Sequence, residues 1–202
     1  LWPGCGIIGG DLARSEVLTI AVTVFGSLEG RAPVARAGAR QGDAAAVAGA
    51  LGEAAAGLSL LFRDAADADG TADADALADL RARHPALEPL IDAQLAPRPP
   101  LRAGIAAAVA GATAMMDLSD GLLLDAHRIA DMSGVTLDLH RADAADDIAA
   151  LAPHFDEPTA ERLVFGGGED HSLLACFPAD AELPAPFRAI GTVLEADGSP
   201  VR

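Results

Sequence analysis

Apolar and polar positions alternate with a period that changes several times along the chain, and each change predicts an element. Val17 to Phe25 (VLTIAVTVF) is a nearly continuous apolar run rich in β-branched residues, which predicts a strand buried on both faces. A Gly- and Arg-rich connection from Gly30 to Asp43 separates it from a short predicted strand at Ala44 to Ala48. Past Gly49 and Gly52 the spacing predicts an Ala-rich helix over Glu53 to Phe62. A solvated Ala/Asp loop around Gly70 follows, then a helix from Asp75 to Arg83 that stops before Pro85. The Pro-rich segment Pro97 to Pro100 leads into a helix over Arg102 to Ala110, and Thr113 to Met116 predicts a strand closed by Asp117. The next helix, Gly121 to Met132, carries Leu122, Ala126, Ile129 and Ala130 on one face. Strand Val135 to Leu139, helical segments Asp146 to Leu151 and Thr159 to Val164, a loop Gly166 to Asp170, and strands Ser172 to Phe177 and Phe187 to Leu194 complete the pattern. Helices and strands interleave without an internal repeat, so the fold class is α/β or α+β.

Composition narrows the function classes. The chain has 202 residues, 51% of them hydrophobic, enough to bury a real core. No run approaches the roughly 18 apolar residues of a membrane span, and the N-terminus lacks the basic-then-apolar pattern of a signal peptide, so a soluble cytoplasmic protein without a membrane partner is expected. The 14 basic residues against 30 acidic ones give 14 − 30 = −16. That charge repels phosphate backbones and argues against a nucleic-acid partner; an anionic ligand would need a metal to mediate its approach. All the basic residues are arginine, and lysine, asparagine and tyrosine are absent, which fits a GC-rich genome. Mechanisms that require lysine are thereby excluded, the Walker P-loop and Schiff bases among them. Cys5 and Cys176 have no metal-ligand spacing and are expected to be reduced and buried. The chain opens at Leu1 inside a Gly-rich loop and stops at Arg202 just past an apolar run, and is expected to be part of a longer polypeptide.

Four segments could carry chemistry. Gly9-Gly10-Asp11 precedes the first predicted strand: its glycines allow close backbone approach and its carboxylate can hold a divalent cation, although such a turn is also a common structural feature. Asp117-Leu118-Ser119-Asp120-Gly121 lies at a strand-to-helix switch. Two carboxylates within one turn repel each other unless a cation or a proton intervenes; Ser119 or Asp120 could cap the helix, but a cap does not explain Asp117. Gly166-Gly167-Gly168-Glu169-Asp170-His171 forms a rim expected to present carboxylates rather than bury them, with His171 a strand-edge residue. Arg36, beside Gly38 and followed by Gly42-Asp43, is a candidate phosphate clamp in a chain without lysine. Together these suit a site where Mg²⁺ carries a nucleoside triphosphate and the protein positions it.

The segments GGDLARS, VARAGARQGDAAAVAGALGEAAAGL, MDLSDGL and GGGEDHSLL, in this order, resemble bacterial thiamine-monophosphate kinases over almost the whole chain. The resemblance implies a two-domain fold of the aminoimidazole-ribonucleotide-synthetase type and a homodimer. Residues 1–30 would be the end of the N-terminal nucleotide-binding and dimerisation domain, including its last strand, and residues 31–202 the C-terminal α/β domain. It implies transfer of the γ-phosphoryl group of ATP to thiamine monophosphate, with Mg²⁺ bound by Asp11, Asp117 and Asp120. Gly10, Asp11, Arg36 and Ser119 would contact the nucleotide, Glu169 would hold the thiamine substrate, and no general base is implied. Glu53 stands where the family often has aspartate and His171 where it has tyrosine, while other family ligands would lie upstream of Leu1 or beyond Arg202. A cyclo-ligase of the same superfamily and a non-catalytic dimerisation remnant are the competing readings.

Overall fold

The computed structural model describes residues 5–202, so the opening at Leu1 lies outside the described residues. The chain divides into two units, Leu1–Gly30 and Arg31–Arg202.

In the first unit none of the described residues is in a helix or a strand. The strand expected over Val17 to Phe25 is therefore corrected: Val17, Leu18, Ile20, Val22, Val24 and Phe25 are all exposed. β-branched composition favours extended backbone, but a strand exists only as one side of a ladder, and no second side pairs with this segment among the described residues. The hydrogen bonds here are local, such as Val17 N–H to Ser15 Oγ at 3.3 Å and Glu29 N–H to Ser27 Oγ at 3.0 Å. Cys5 is exposed, against expectation, whereas Cys176 is buried.

The second unit runs β1 (Ala44–Ala48), α1 (Glu53–Asp64), α2 (Ala74–Arg83), α3 (Glu88–Leu95), α4 (Leu101–Val109), β2 (Ala114–Leu118), α5 (Leu122–Ser133), β3 (Val135–Leu139), α6 (Ala145–Leu151), α7 (Glu157–Gly166), β4 (Ser172–Phe177) and β5 (Arg188–Glu195). The strands form one sheet in the order β2-β4-β1-β5-β3. Every neighbouring pair is antiparallel. Strand periodicity sends alternate residues to opposite faces, and both faces of β1 are buried. Ala45 and Val47 face the larger core with Leu174, Cys176, Leu122, Ile129, Leu151 and Val164. Ala46 and Ala48 face the other side with Ala103 and Ala107 of α4, Ala175, Phe177 and Phe187. Alanines on both partners let α4 lie close to the sheet, and Phe177 and Phe187 meet edge to face at 5.2 Å.

Helix α3 was not anticipated. Pro85 and Pro89 punctuate its approach, yet Pro89 sits in its first turn, where the missing N–H costs nothing. Its partner is α1: a Cβ at Gly57 would collide with the Leu90 carbonyl oxygen, so the two helix backbones touch there.

Candidate functional site

The β2–β4 ladder brings two loops together. Leu118 pairs with Ser172 and Asp117 with Leu173, so the residues after β2 meet those before β4. Beyond the ladder the contact continues backbone to backbone. Glu169 N–H donates to Ser119 O at 2.9 Å and His171 N–H to Leu118 O at 3.0 Å. Gly121, at φ 106°, admits this approach because a Cβ there would lie 2.7 Å from Gly166 O. A Cβ at Gly168 would strike Ser119 O. Helix α5 starts at Gly121 without a side-chain cap, so neither Ser119 nor Asp120 serves as one. Ser119 and both aspartates flank a bare helix start.

Glu169 and His171 adopt left-handed backbone at φ 70° and 51°, a conformation costly for residues with a Cβ. Between them Asp170 is the peg. Its Oδ2 accepts Gly52 N–H at 2.6 Å and its Oδ1 accepts Ala54 N–H at 2.8 Å, capping α1, whose own N-cap residue is glycine. Asp170 is thus drawn inward, which corrects the expectation that both acids of this loop face outward. Glu169 does face outward, its side chain 58% exposed.

Burial pushes the Asp170 carboxyl up to about 6, against the pull of the two amide hydrogen bonds and with help from the Glu53 and Asp147 charges. Glu53 and Asp147 are also raised, chiefly by burial. The folded value for Asp170 lies above the ordinary 3.8, so between those limits the folded protein holds a proton that the unfolded chain releases. Stability from this group is fully present below 3.8 and is lost as pH rises through about 6. Discounted for partial exposure, the loss amounts to about 1–2 kcal/mol. Asp170→Asn should flatten that part of the stability profile, measured as urea unfolding free energies at pH 4.5 and pH 7. Parallel profiles for the two proteins would remove Asp170 as the cause.

Asp117 points from the end of edge strand β2 with its side chain 58% exposed. His171 approaches both flanking acids, Nδ1 at 3.9 Å from Asp117 Oδ2 and Nε2 at 3.5 Å from Glu169 Oε2. Asp120 is turned toward helix α5, where its Oδ2 meets Arg128. Arg36 is exposed, and Ala35 O beside it accepts Met115 N–H at 2.9 Å, which lays this segment along the free edge of β2, two residues before Asp117. Ser133 Oγ fixes the segment further by accepting Gly38 N–H at 3.1 Å and Ala39 N–H at 3.2 Å. Asp43, near Arg36 in sequence, is buried and accepts from Thr113 Oγ1 at 2.6 Å, a structural role. Gly10 and Asp11 belong to the first unit and are exposed. The second unit therefore gathers Asp117, Ser119, Asp120 and Glu169, with Arg36 on the adjoining edge. Among the described residues no three His, Cys, Asp or Glu side chains converge to hold a metal ion by themselves.

Asp125 and Arg128 escaped the sequence reading. The signal was a carboxylate inside the apolar stripe of α5, where Asp125 is 0% exposed.

The sheet, its helical cover and the laced loops match solved thiamine-monophosphate kinases, which places the chain as a domain of the aminoimidazole-ribonucleotide-synthetase-like fold. No protein-family model matches the chain. The chain is 43% identical to the thiamine-monophosphate kinase of Mycobacterium tuberculosis over 201 residues, covering 95% of this chain and 52% of the relative. It is 38% identical to that of Corynebacterium glutamicum over 189 residues, covering 93% and 52%. Among solved structures, thiamine-monophosphate kinase from Stenotrophomonas maltophilia matches with a TM-score of 0.65 at 29% identity, covering 86% of this chain and 54% of that one. The Aquifex aeolicus protein matches with a TM-score of 0.66 at 29% identity, covering 83% and 52%. The chain is thus similar along almost its whole length to thiamine-monophosphate kinases, and it spans about half the length of the curated relatives it matches.

Proposed function

We propose that the chain is the C-terminal domain, residues 31–202, of a cytoplasmic homodimeric thiamine-monophosphate kinase, with residues 1–30 closing its N-terminal domain. The enzyme transfers the γ-phosphoryl group of ATP to the phosphate of thiamine monophosphate, giving thiamine diphosphate and ADP. The observation that carries this reading is the backbone lacing of the Asp117–Gly121 loop to the Gly166–His171 loop, which sets Ser119 and its flanking aspartates beside Glu169. A structure of AaThiL complexed with AMPPCP and TMP, 30% identical with a TM-score of 0.62, supports the choice of substrates. No described helix is long and apolar enough to cross a membrane.

The donor set fits magnesium. Mg²⁺ keeps several waters and takes one or two carboxylates plus substrate phosphates rather than a closed protein cage. Exposed Asp117 and Asp120 on separate sides of a short loop offer that, and a preformed three-acid cage is not required. Asp117 and Asp120, with Asp11 by family resemblance, would hold Mg²⁺, which supplies charge compensation between two phosphate anions. Gly10, Asp11, Arg36 and Ser119 contact the nucleotide, and Glu169 holds the thiamine substrate. The accepting phosphate oxygen is ionised at neutral pH, so the protein orients it and needs no general base.

The test is ADP release by the full-length protein supplied with thiamine monophosphate or with formylglycinamidine ribonucleotide. Turnover with the first alone is expected. Turnover with the second alone would assign the site to a cyclo-ligase.

A further inference from the structure

Asp125 lies on the core-facing side of α5 with no exposed surface, and none of the roles above uses it. Its Oδ2 accepts the Asp120 N–H at 3.0 Å, and its Oδ1 accepts Arg128 Nη1 at 2.6 Å. The same Nη1 reaches Asp120 Oδ2. A single guanidinium therefore bridges one carboxylate sealed in the core and one on the loop rim, while the sealed carboxylate also grips the backbone of that rim. A buried carboxylate needs one cationic partner and its hydrogen bonds, and Arg128 supplies the partner whatever Asp120 does. The extra contact to Asp120 serves the loop rather than the core. Arg128 sits 35% exposed, close enough to the surface for an incoming cation to compete with it.

We infer that Arg128, moored on buried Asp125, is a positioning residue that occupies Asp120 as a stand-in cation, so that a divalent metal must displace it to gain that carboxylate. This rests on the reading of Asp120 as a metal ligand. Its consequence is coupling: a lone metal ion gains little at Asp120, whereas a metal arriving with nucleotide phosphates brings extra ligands and wins. Asp125 keeps the released guanidinium beside the site in either state.

Binding of Mn²⁺ without nucleotide, read from the paramagnetic resonance of free Mn²⁺ with the full-length protein, tests this. Arg128→Gln removes the charge and leaves an N–H donor for Asp125. It should tighten Mn²⁺ binding by about two- to fivefold, the scale of a half-exposed ion pair. Arg128→Lys keeps a charge and should stay near wild type, which a merely structural role for the arginine does not predict. With a non-hydrolysable ATP analogue present, Asp120→Asn must weaken Mn²⁺ binding; if it does not, Asp120 is no ligand and the underlying reading fails. If it does, while Arg128→Gln leaves affinity unchanged or weaker, the inference about Arg128 fails alone. Should Arg128→Gln not fold, nitrogen-15 arginine spectra of the wild type decide. The Arg128 Nη resonances, held by Asp120 and Asp125, should change their rotational exchange when Mg²⁺ and a non-hydrolysable ATP analogue are added. Unchanged resonances under saturating ligand would overturn the proposal.

Discussion

Asp120→Asn in the full-length protein is expected to lower kcat/KM by about 30- to 1000-fold, a loss of about 2–4 kcal/mol of transition-state stabilisation. The change isolates charge. Asparagine has nearly the same volume, and the backbone N–H of residue 120 still has Asp125 Oδ2 to donate to, so the loop keeps its anchor. On the proposed mechanism, the variant lacks a negative charge to meet a cation between two phosphate anions. The loss should fall mainly on kcat, because compensation matters most as the phosphoryl group is passed between phosphates. Steady-state rates at low Mg²⁺, alongside a thermal melt that establishes folding, are the measurement. A rate within about twofold of wild type would take Asp120 out of the catalytic machinery, since it is far smaller than one preorganised charge contact.

What the sequence made legible, and what it hid, follows a physical line. Ala44 to Ala48, Ser172 to Phe177 and the apolar face of α5 were readable because periodicity reports burial, and burial decides these elements. Val17 to Phe25 was misassigned because composition reports a preference for extended backbone, not the availability of a pairing partner. Helix α3 is not legible because it buries only the adjacent pair Leu90 and Ile91, too short a stripe to show a helical period, and because its close approach to the α1 backbone at Gly57 is not encoded in apolar spacing. In the site, Asp120 and Glu169 stand out as acids next to glycines at element boundaries, and Asp117 as the strand-end acid that a helix cap does not explain. Asp170 is one residue from Glu169 yet turns inward, and a clue was available elsewhere: α1 begins after glycine, with no side chain of its own to cap it. The same holds for Asp125, whose place among Leu122, Ala126 and Ile129 calls for a cationic partner, which Arg128, three residues on, supplies.

The run Gly166-Gly167-Gly168 offers no way to rank its members in sequence, yet substituting alanine at the two ends should give opposite results. At Gly166, the last residue of α7, a Cβ meets nothing within 4 Å, so Gly166→Ala should be near neutral. At Gly168 a Cβ would collide with Ser119 O and come within 3.1 Å of the Asp120 Cα and carbonyl carbon. These are backbone atoms of the opposite loop, held by the Glu169–Ser119 hydrogen bond at 2.9 Å, so no rotamer change relieves the clash. The loops must part. Overpacking of this kind costs about 1–3 kcal/mol of stability. Activity should suffer more, since a displacement near 1 Å between Glu169, proposed to hold the acceptor, and the aspartate loop can cost about 100-fold in rate. Gly168→Ala should therefore retain a cooperative, moderately lowered melt while losing about 100-fold in kcat/KM, with Gly166→Ala indistinguishable from wild type in both. If the Gly168 variant keeps full activity, the two loops do not act as one unit; if the Gly166 variant is equally impaired, flexibility of the whole glycine run matters rather than the backbone contact at Gly168.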